Sequence, residues 1–471
     1  MPQEFRFGVA TAGFQVEGGF NGPGEPRNNW FSWEHDGRVE PSGLAVQFFD
    51  HYEAHLDAAA SLGIDSFRLS VEWARLEPRE GEYDDEAFGR YAAILAACRD
   101  RGMEPLLTLC HFTHPDWAGA RLWCDADAPE RFASYAAEVV RRLGDSCRLY
   151  VTLNEINVLA LMSFFLGAFP PGSRLDGRSV LRAADHLLAA HVLAYDEVKS
   201  RLPEAVVSTN NCNFSIYELD RLLVDLLAAR SRGVERDALG AHLSNRRRQW
   251  YATDAARSGA NRRWPAAEEA LRRLSARLVD PVAAFPRAIE AVYSSPHLTT
   301  MDVVQLDYYD PETASHLRLP FSATAGGRWP GFDRPLWDDP PDPAGLGKYA
   351  RANLEPGLDL WVVENGLCNR VRRGRSYPRL DGWTRERYLT ENLSALVAAV
   401  AGGLPVTGYW HWCLADNYEW GTYEPRFGLF GVDRERGLAW SERDSMGGDA
   451  AGTYRRLIEG LRAGDRSVLE G

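Results

Sequence analysis

The sequence predicts an α/β protein folded as a single (β/α)8 TIM barrel spanning residues 1–471, with loop insertions at about 211–300 and 320–347. Three observations lead there. Eight short β-like runs recur along the chain. Amphipathic runs of helical spacing fall between them, several closing on Gly. The length of 471 residues exceeds a minimal barrel by an amount that insertions account for.

The strand candidates, in order, are FRFGVA (5–10), SFRLSV (66–71), EPLLTL (104–109), LYVTL (149–153), AVVSTN (205–210), DVVQLD (302–307), LWVVE (360–364) and VTGYW (406–410). FDHYEAHLDAAASLG and AFGRYAAILAACRDRG are typical of the helical runs between them. Strands alternating with helices point to a parallel sheet covered by helices. A doubly wound sheet with an accessory domain is the rival, but it calls for a Gly-rich phosphate loop after an early strand, and the sequence has none. The insertion at 211–300 contains RRRQWYATDAARSGANRR, polar and Arg-rich, which reads as helical surface after the fifth strand. The stretch at 320–347 is dense in Pro and Gly and reads as a long surface loop.

Composition narrows the function classes. Hydrophobic residues make up 45% and charged residues 25%, ordinary values for a globular protein. The net charge of −13 argues against nucleic acid or an anionic membrane as partner, because phosphates would be repelled. No apolar run reaches membrane-spanning length. Seven Cys, an odd number with no CxxC spacing, suit buried thiols in a reducing compartment. With MPQEFRFGVATA entering strand-like sequence directly, a cytoplasmic location is expected. Basic residues are nearly all Arg, Lys199 and Lys348 being the exceptions, a bias that suggests a GC-rich bacterial genome. Fifteen Trp supply core and, potentially, flat platforms for sugar rings.

Two stretches carry the chemistry. LYVTLNEINV places Asn154 and Glu155 just after the fourth strand; LWVVENGL places Glu364 and Asn365 at the end of the seventh. Function in a (β/α)8 barrel sits at the carboxyl ends of the strands. One such Glu would serve equally well in a salt bridge with an Arg at the barrel mouth. Two, each beside an Asn and each ending a separate strand, favour chemistry. Glycoside hydrolysis needs such a pair: one carboxyl protonated to donate to the leaving oxygen, the other ionised. A separation of about 5 Å would retain configuration, and one of roughly 6.5–9.5 Å would invert it.

From FRFGVATAGFQVEG to GYWHWCLADNYEWGTYEPRFGL, with TLNEIN and VVENG between, the chain resembles glycoside hydrolase family 1, the β-glucosidase family. The similarity spans nearly the whole barrel and is poorest at 211–300. The resemblance implies Glu155 as the acid/base and Glu364 as the nucleophile. It implies Gln15, His111, Asn154, Asp307, Tyr309, Trp412, Glu419 and Trp420 as the sugar-binding set. Arg68 and Tyr309 would support the nucleophile, Arg68 by holding Glu364 ionised. Trp412 would stack beneath the sugar and Trp420 cap the same end. Glu419 would read O4 and O6, and its carboxylate would repel the phosphate of a phospho-sugar, favouring an unphosphorylated hexose.

Some residues depart from the family. Asp307 stands where the family usually has Asn, and a further carboxylate near Glu364 would raise the pKa of one of them. Ile156 stands in place of the usual Pro, and Cys413 where Ser is common. His111 and His114 do not make a zinc site, since third and fourth ligands are not evident; His114 reads as structural. The expected activity is that of a retaining β-glycosidase acting on a small-molecule β-glycoside, β-glucoside first, without metal or cofactor. Two readings stay open beside it: a transglycosidase or natural-product tailoring enzyme with the same chemistry, and a sugar-binding barrel that has lost turnover. Glycone, aglycone and any homo-oligomer are left open.

Overall fold

The computed structural model describes residues 1, 4–214, 216–257, 265–312, 341–372 and 375–470. Its strands are β1 (Arg6–Ala10), β2 (Ser66–Ser70), β3 (Glu104–Cys110), β4 (Leu149–Leu153), β5 (Val206–Ser208), β6 (Asn210–Phe214), β7 (Val304–Glu312), β8 (Leu360–Glu364), β9 (Asn369–Arg372), β10 (Arg375–Tyr377), β11 (Val406–Trp412), β12 (Pro425–Arg426), β13 (Gly431–Asp433) and β14 (Ala439–Ser441). All eight strands expected from sequence are present. The chain forms two compact units, one of Met1–Gly119, Arg142–Tyr150 and Trp361–Gly471, the other of Ala120–Arg141 and Val151–Leu360.

In the first unit, neighbouring strands run in the order β3-β2-β1-β11-β8. β1 lies parallel to both β2 and β11, with Phe7 opposite Tyr409 and Gly8 opposite Trp410. Every residue of β2 and β8 is buried; in β8 this shows in the apolar run LWVV, while β2 buries Ser66, Arg68 and Ser70 as well. Gly8 has no room for a side chain: the Trp410 indole fills the space a Cβ would take, and its Nε1 donates to Ser66 Oγ at 3.1 Å. The helices Phe48–Ala60 and Asp85–Asp100 follow β1 and β2. Asp84 caps the second by accepting from Ala87 N at 2.9 Å. Just beyond the helix ends, Gly63 and Gly102 have φ of 72° and 76°, the left-handed conformation that the closing Gly of each pattern supplies.

In the second unit, β4 neighbours β5 and β6 lies parallel to β7. The 25-residue helix Gly177–Arg201 is capped by Asp176, which accepts from Ser179 N at 3.1 Å. The sequence-based fifth strand is here two strands, β5 and β6, with Thr209 between them. β6 runs on to Phe214 because the polar run NNCNF is almost wholly buried and pairs with β7. The sixth expected strand also extends further, to Glu312.

The 211–300 segment corrects a second expectation. Its helix Arg221–Leu227 is buried on every side, and the arginines are not simply solvated surface. Arg221, Arg232 and Arg246 converge on Asp225 Oδ1 at 2.9, 3.1 and 3.0 Å, and Arg221 and Arg232 also pair with Glu355. Burial alone would raise the Asp225 carboxyl; the three guanidiniums outweigh it and hold it below the usual range. Of these three, Arg246 alone belongs to the Arg-rich stretch expected at the surface, and the buried carboxylate draws it inward. RRRQWYATDAARSGANRR ends the helix Leu239–Tyr251 and passes through a short turn at Ala255–Arg257; its last residues, from 258, lie outside the described residues. Of the expected loop at 320–347, residues 320–340 lie outside the described residues as well. Its end is helical, since Pro343–Ala352 starts with Pro in the first turn behind an Asp342 cap.

Candidate active site

The first unit gathers Gln15, Arg68, His111, Glu364, Trp412, Glu419 and Trp420. Arg68 is the third residue of β2 and Glu364 the last of β8, both buried. Arg68 Nη1 donates to Glu364 Oε1 at 2.6 Å and to the Val363 carbonyl at 3.1 Å, while its Nε donates to Thr108 Oγ1 at 3.1 Å. The guanidinium is thereby held by two strands and placed against the carboxylate, a charge-assisted bond in a dry setting. Asn365 serves the backbone here: its amide donates to Tyr388 Oη at 2.7 Å and accepts from Tyr409 Oη at 2.8 Å, and its carbonyl accepts from Trp412 N. Gly366 follows because a Cβ there would run into the Trp412 carbonyl. The VVENG run is thus tied to β11 on three counts.

Glu419 lies beyond β11. It accepts from Gln15 Nε2 at 3.1 Å and from Trp412 Nε1 at 3.3 Å. Burial pushes its carboxyl up to about 8, with the Glu364 charge adding to the rise and the Trp412 and Gln15 bonds opposing it. Gln15 Oε1 is buried and has no hydrogen-bond partner among the described residues. The His111 imidazole lies nearly parallel to both Trp412 and Trp420, with centroids at 5.8 and 5.7 Å. Burial, reinforced by the Arg68 charge, lowers its pKa well below the usual value, so the ring is neutral. Trp420 sits in the left-handed region at φ 45° and packs against Phe14, Trp30 and Phe112. His114 and Cys413 both have partners close by in sequence. His114 Nε2 bonds the Gly119 carbonyl at 3.1 Å. Cys413 Sγ donates to the Ala415 carbonyl and accepts from Asn417 Nδ2 at 3.0 Å, which a Ser hydroxyl would do equally.

The second unit gathers Asn154, Glu155 and Asp307, with Tyr309 further along β7. Glu155 follows β4 by two residues and has φ 42°, an uncommon conformation for a side chain with a Cβ. It occupies the N-cap position of the helix Ile156–Phe164, and Ile156 fills the first helical position, where Pro also fits. Asn154 Nδ2 lies 3.5 Å from Glu155 Oε2. Asn210, the first residue of β6, joins the group. Its Nδ2 donates to Asn154 Oδ1 at 2.9 Å and to Asp307 Oδ2, and its Oδ1 accepts from Glu155 N at 3.4 Å. Asp307 is fully buried and carries a carboxylate oxygen within 4.8 Å of one on Glu155. Tyr309 is half-buried, with its backbone N donating to Asn213 Oδ1 at 3.2 Å. Asn210 was not picked out from sequence, yet its signal was there: it is the polar residue ending AVVSTN, the same mark that found Glu155 and Glu364.

Known proteins place this arrangement. Beta-glucosidase from Thermotoga maritima in complex with noeuromycin superimposes with a TM-score of 0.72 at 20% identity, covering 98% of each chain. An AHE enzyme from Alicyclobacillus herbarius gives 0.71 at 21% identity, again over 98% of both. The fold is therefore the (β/α)8 barrel that the strand count predicted. A beta-glucosidase of Agrobacterium sp. is 27% identical over 100% of this chain and 98% of its own. Thermostable beta-glucosidase B of Thermobispora bispora is 30% identical over 98% and 92%. A beta-galactosidase of Sulfolobus acidocaldarius is 27% identical over 92% and 91%. Relatives of this extent define a glycoside hydrolase. The sequence profile of Glycosyl hydrolase family 1 matches residues 1–280 and 346–448, and the chain belongs to that family. Its unmatched internal stretch, 281–345, begins later than the 211–300 segment that had looked least familiar.

Proposed function

We propose that the enzyme is a retaining β-glycosidase that hydrolyses unphosphorylated β-glycosides, β-glucosides first, by double displacement. Glu364 attacks the anomeric carbon and forms a glycosyl ester as the C1–O bond breaks. Glu155 gives its proton to the departing oxygen. Glu155, then ionised, takes a proton from water, which attacks the same carbon, breaks the ester and releases the sugar with β configuration. The observation that carries this reading is the buried Arg68–Glu364 pair at 2.6 Å. A guanidinium held against this carboxyl favours the ionised form that a nucleophile needs. The beta-glucosidases and beta-galactosidase among the relatives support a neutral hexose as glycone.

Exclusion of phospho-sugars needs a different argument from the one based on charge alone. With its carboxyl pushed up to about 8, Glu419 is largely neutral at pH 7. Its side-chain hydrogen bonds among the described residues come from Gln15 and Trp412, neither of them a cation, so neither would neutralise a buried phosphate at this end. Sugar hydroxyls donating to Glu419 bind its ionised form more strongly. Affinity for glucose, read as product inhibition, should therefore tighten as pH rises through about 8, and should be flat in Glu419→Gln. A pH-independent wild-type inhibition constant would remove Glu419 from the hydroxyl-binding set.

Tyr309 and Asn154 complete the proposed glycone site, with Gln15, His111, Trp412 and Trp420 around the ring and Asp307 beside Glu155. The seven Cys without CxxC spacing support action in a reducing bacterial cytoplasm. The reading is tested by incubation with 2-deoxy-2-fluoro-β-glucosides and peptide mass spectrometry. The expected product is a fluoroglycosyl ester on Glu364. A label on another residue, or steady turnover with no label, would overturn the assignment.

A further inference from the structure

Behind the sugar-binding residues of the first unit lies a buried carboxyl that the proposed mechanism does not use. Glu72, at the start of the turn Trp73–Leu76, is 1% exposed. Its Oε1 accepts from Phe14 N at 2.9 Å, and Ser70 Oγ, 3.4 Å from the same oxygen, accepts from Gly13 N at 2.6 Å. Its Oε2 accepts from Thr113 Oγ1 at 2.7 Å. The first contact fixes the turn Gly13–Val16, which presents Gln15 to Glu419 and Asn417. The second fixes the segment two residues past His111. One carboxyl thus spans the two loops that carry Gln15 and His111.

The span is tight. A Cβ on Gly13 would meet Glu72 Cγ and Oε1 at 2.7 Å, so the glycine is what lets the carboxyl reach both loops. Glu72 is itself held, its backbone N donating to Tyr91 Oη at 3.0 Å while that hydroxyl donates to Glu17 Oε1 at 2.7 Å. Arg75 is bound to Glu17 at 3.1 Å. The ionisable groups around Glu72 are Glu17, Arg75, Tyr91 and Cys110. Burial and the Glu17 charge push its carboxyl up to about 8.

We propose that Glu72, through Thr113 and the Phe14 amide, is a positioning residue that sets the spacing of Gln15 and His111 and thereby the enzyme's affinity for the glycone. The proposal rests on the reading of Gln15 and His111 as sugar-binding residues. Glu72 touches neither the sugar nor the reacting bonds. Loss of the bridge should weaken binding of ground state and transition state alike, raising KM and leaving kcat in place.

The test is a double-mutant cycle on an aryl β-glucoside. Thr113→Val, nearly isosteric, should raise KM about tenfold, the scale of one lost hydrogen bond to a charged or shared-proton group, with kcat within about twofold. Glu72→Ala should do the same or more. The double variant should resemble Glu72→Ala alone, because both changes cut one link. Glu72→Gln keeps an acceptor for Phe14 N and a polar partner for Thr113, and should recover most of the wild-type KM. A role confined to stability would lower the urea midpoint and leave KM of the folded enzyme unchanged. That result, or multiplicative KM effects in the double variant, overturns the proposal. Should Glu72→Ala fail to fold, Thr113→Val and Glu72→Gln carry the same comparison. A sound fluoroglycosyl label on Glu364 with unchanged KM counts against the bridge alone; a failed label with the KM pattern intact counts against the nucleophile alone.

Discussion

Glu364→Ala should abolish hydrolysis of β-glucosides, with kcat lowered on the order of 10⁶-fold, the scale seen when a covalent nucleophile is removed. The physical reason lies in what remains. The Arg68 guanidinium, buried and still fixed by Thr108 and the Val363 carbonyl, loses the carboxylate at 2.6 Å and keeps its charge. A small anion should enter the space vacated, because a buried guanidinium that has lost this carboxylate favours another negative charge in its place. Azide there can attack the anomeric carbon from the face that Glu364 used. One displacement in place of two inverts the centre, and the product should be the α-glycosyl azide. Product NMR decides the matter. Activity near wild type without added anion would remove Glu364 from the nucleophile role. Restored activity giving the β-azide would contradict the face of attack.

Glu155→Ala should show the complementary pattern. Without the proton donor, substrates with poor leaving groups should slow by about 10²–10⁴-fold. Aryl glycosides whose phenols leave unaided should still form the glycosyl-enzyme, which then waits for water that no base activates. A burst of phenol followed by slow turnover is the expected trace. Azide needs no base, so it should speed the second step and yield the β-glycosyl azide, opposite to the product from Glu364→Ala. Equal slowing of all leaving groups, or an α-azide, would place the acid/base elsewhere. The two products of opposite configuration test both assignments without assuming either.

Much of the barrel was legible because its strands are buried on both faces and read as short apolar runs. Glu155 and Glu364 were legible because a carboxyl after such a run is costly unless used. The fifth strand was harder. NNCNF has three Asn in five residues and little apolar signal, and it forms β6 because its side chains bond within the protein, as Asn210 does to Asn154 and Asp307. The Arg-rich stretch was read as helical surface, and it does begin in a helix, but a buried carboxylate, Asp225, draws its first residue, Arg246, inward. Glu72 escaped notice because its partners are a backbone amide and a hydroxyl more than forty positions away, and spacing along the chain carries no trace of either.

The amide of Asn210 is used at both ends, its oxygen toward the Glu155 N–H and its nitrogen toward Asn154 and Asp307. That polarity makes drift at this corner asymmetric. Exchange of Asp307 for the amide usual in the family still offers an oxygen to Asn210. Exchange of Asn210 for an acid would set acceptor against acceptor. Either an acid or an amide at position 307 can thus accept from Asn210, whereas an acid at position 210 would lose the donor that Asn154 and Asp307 use.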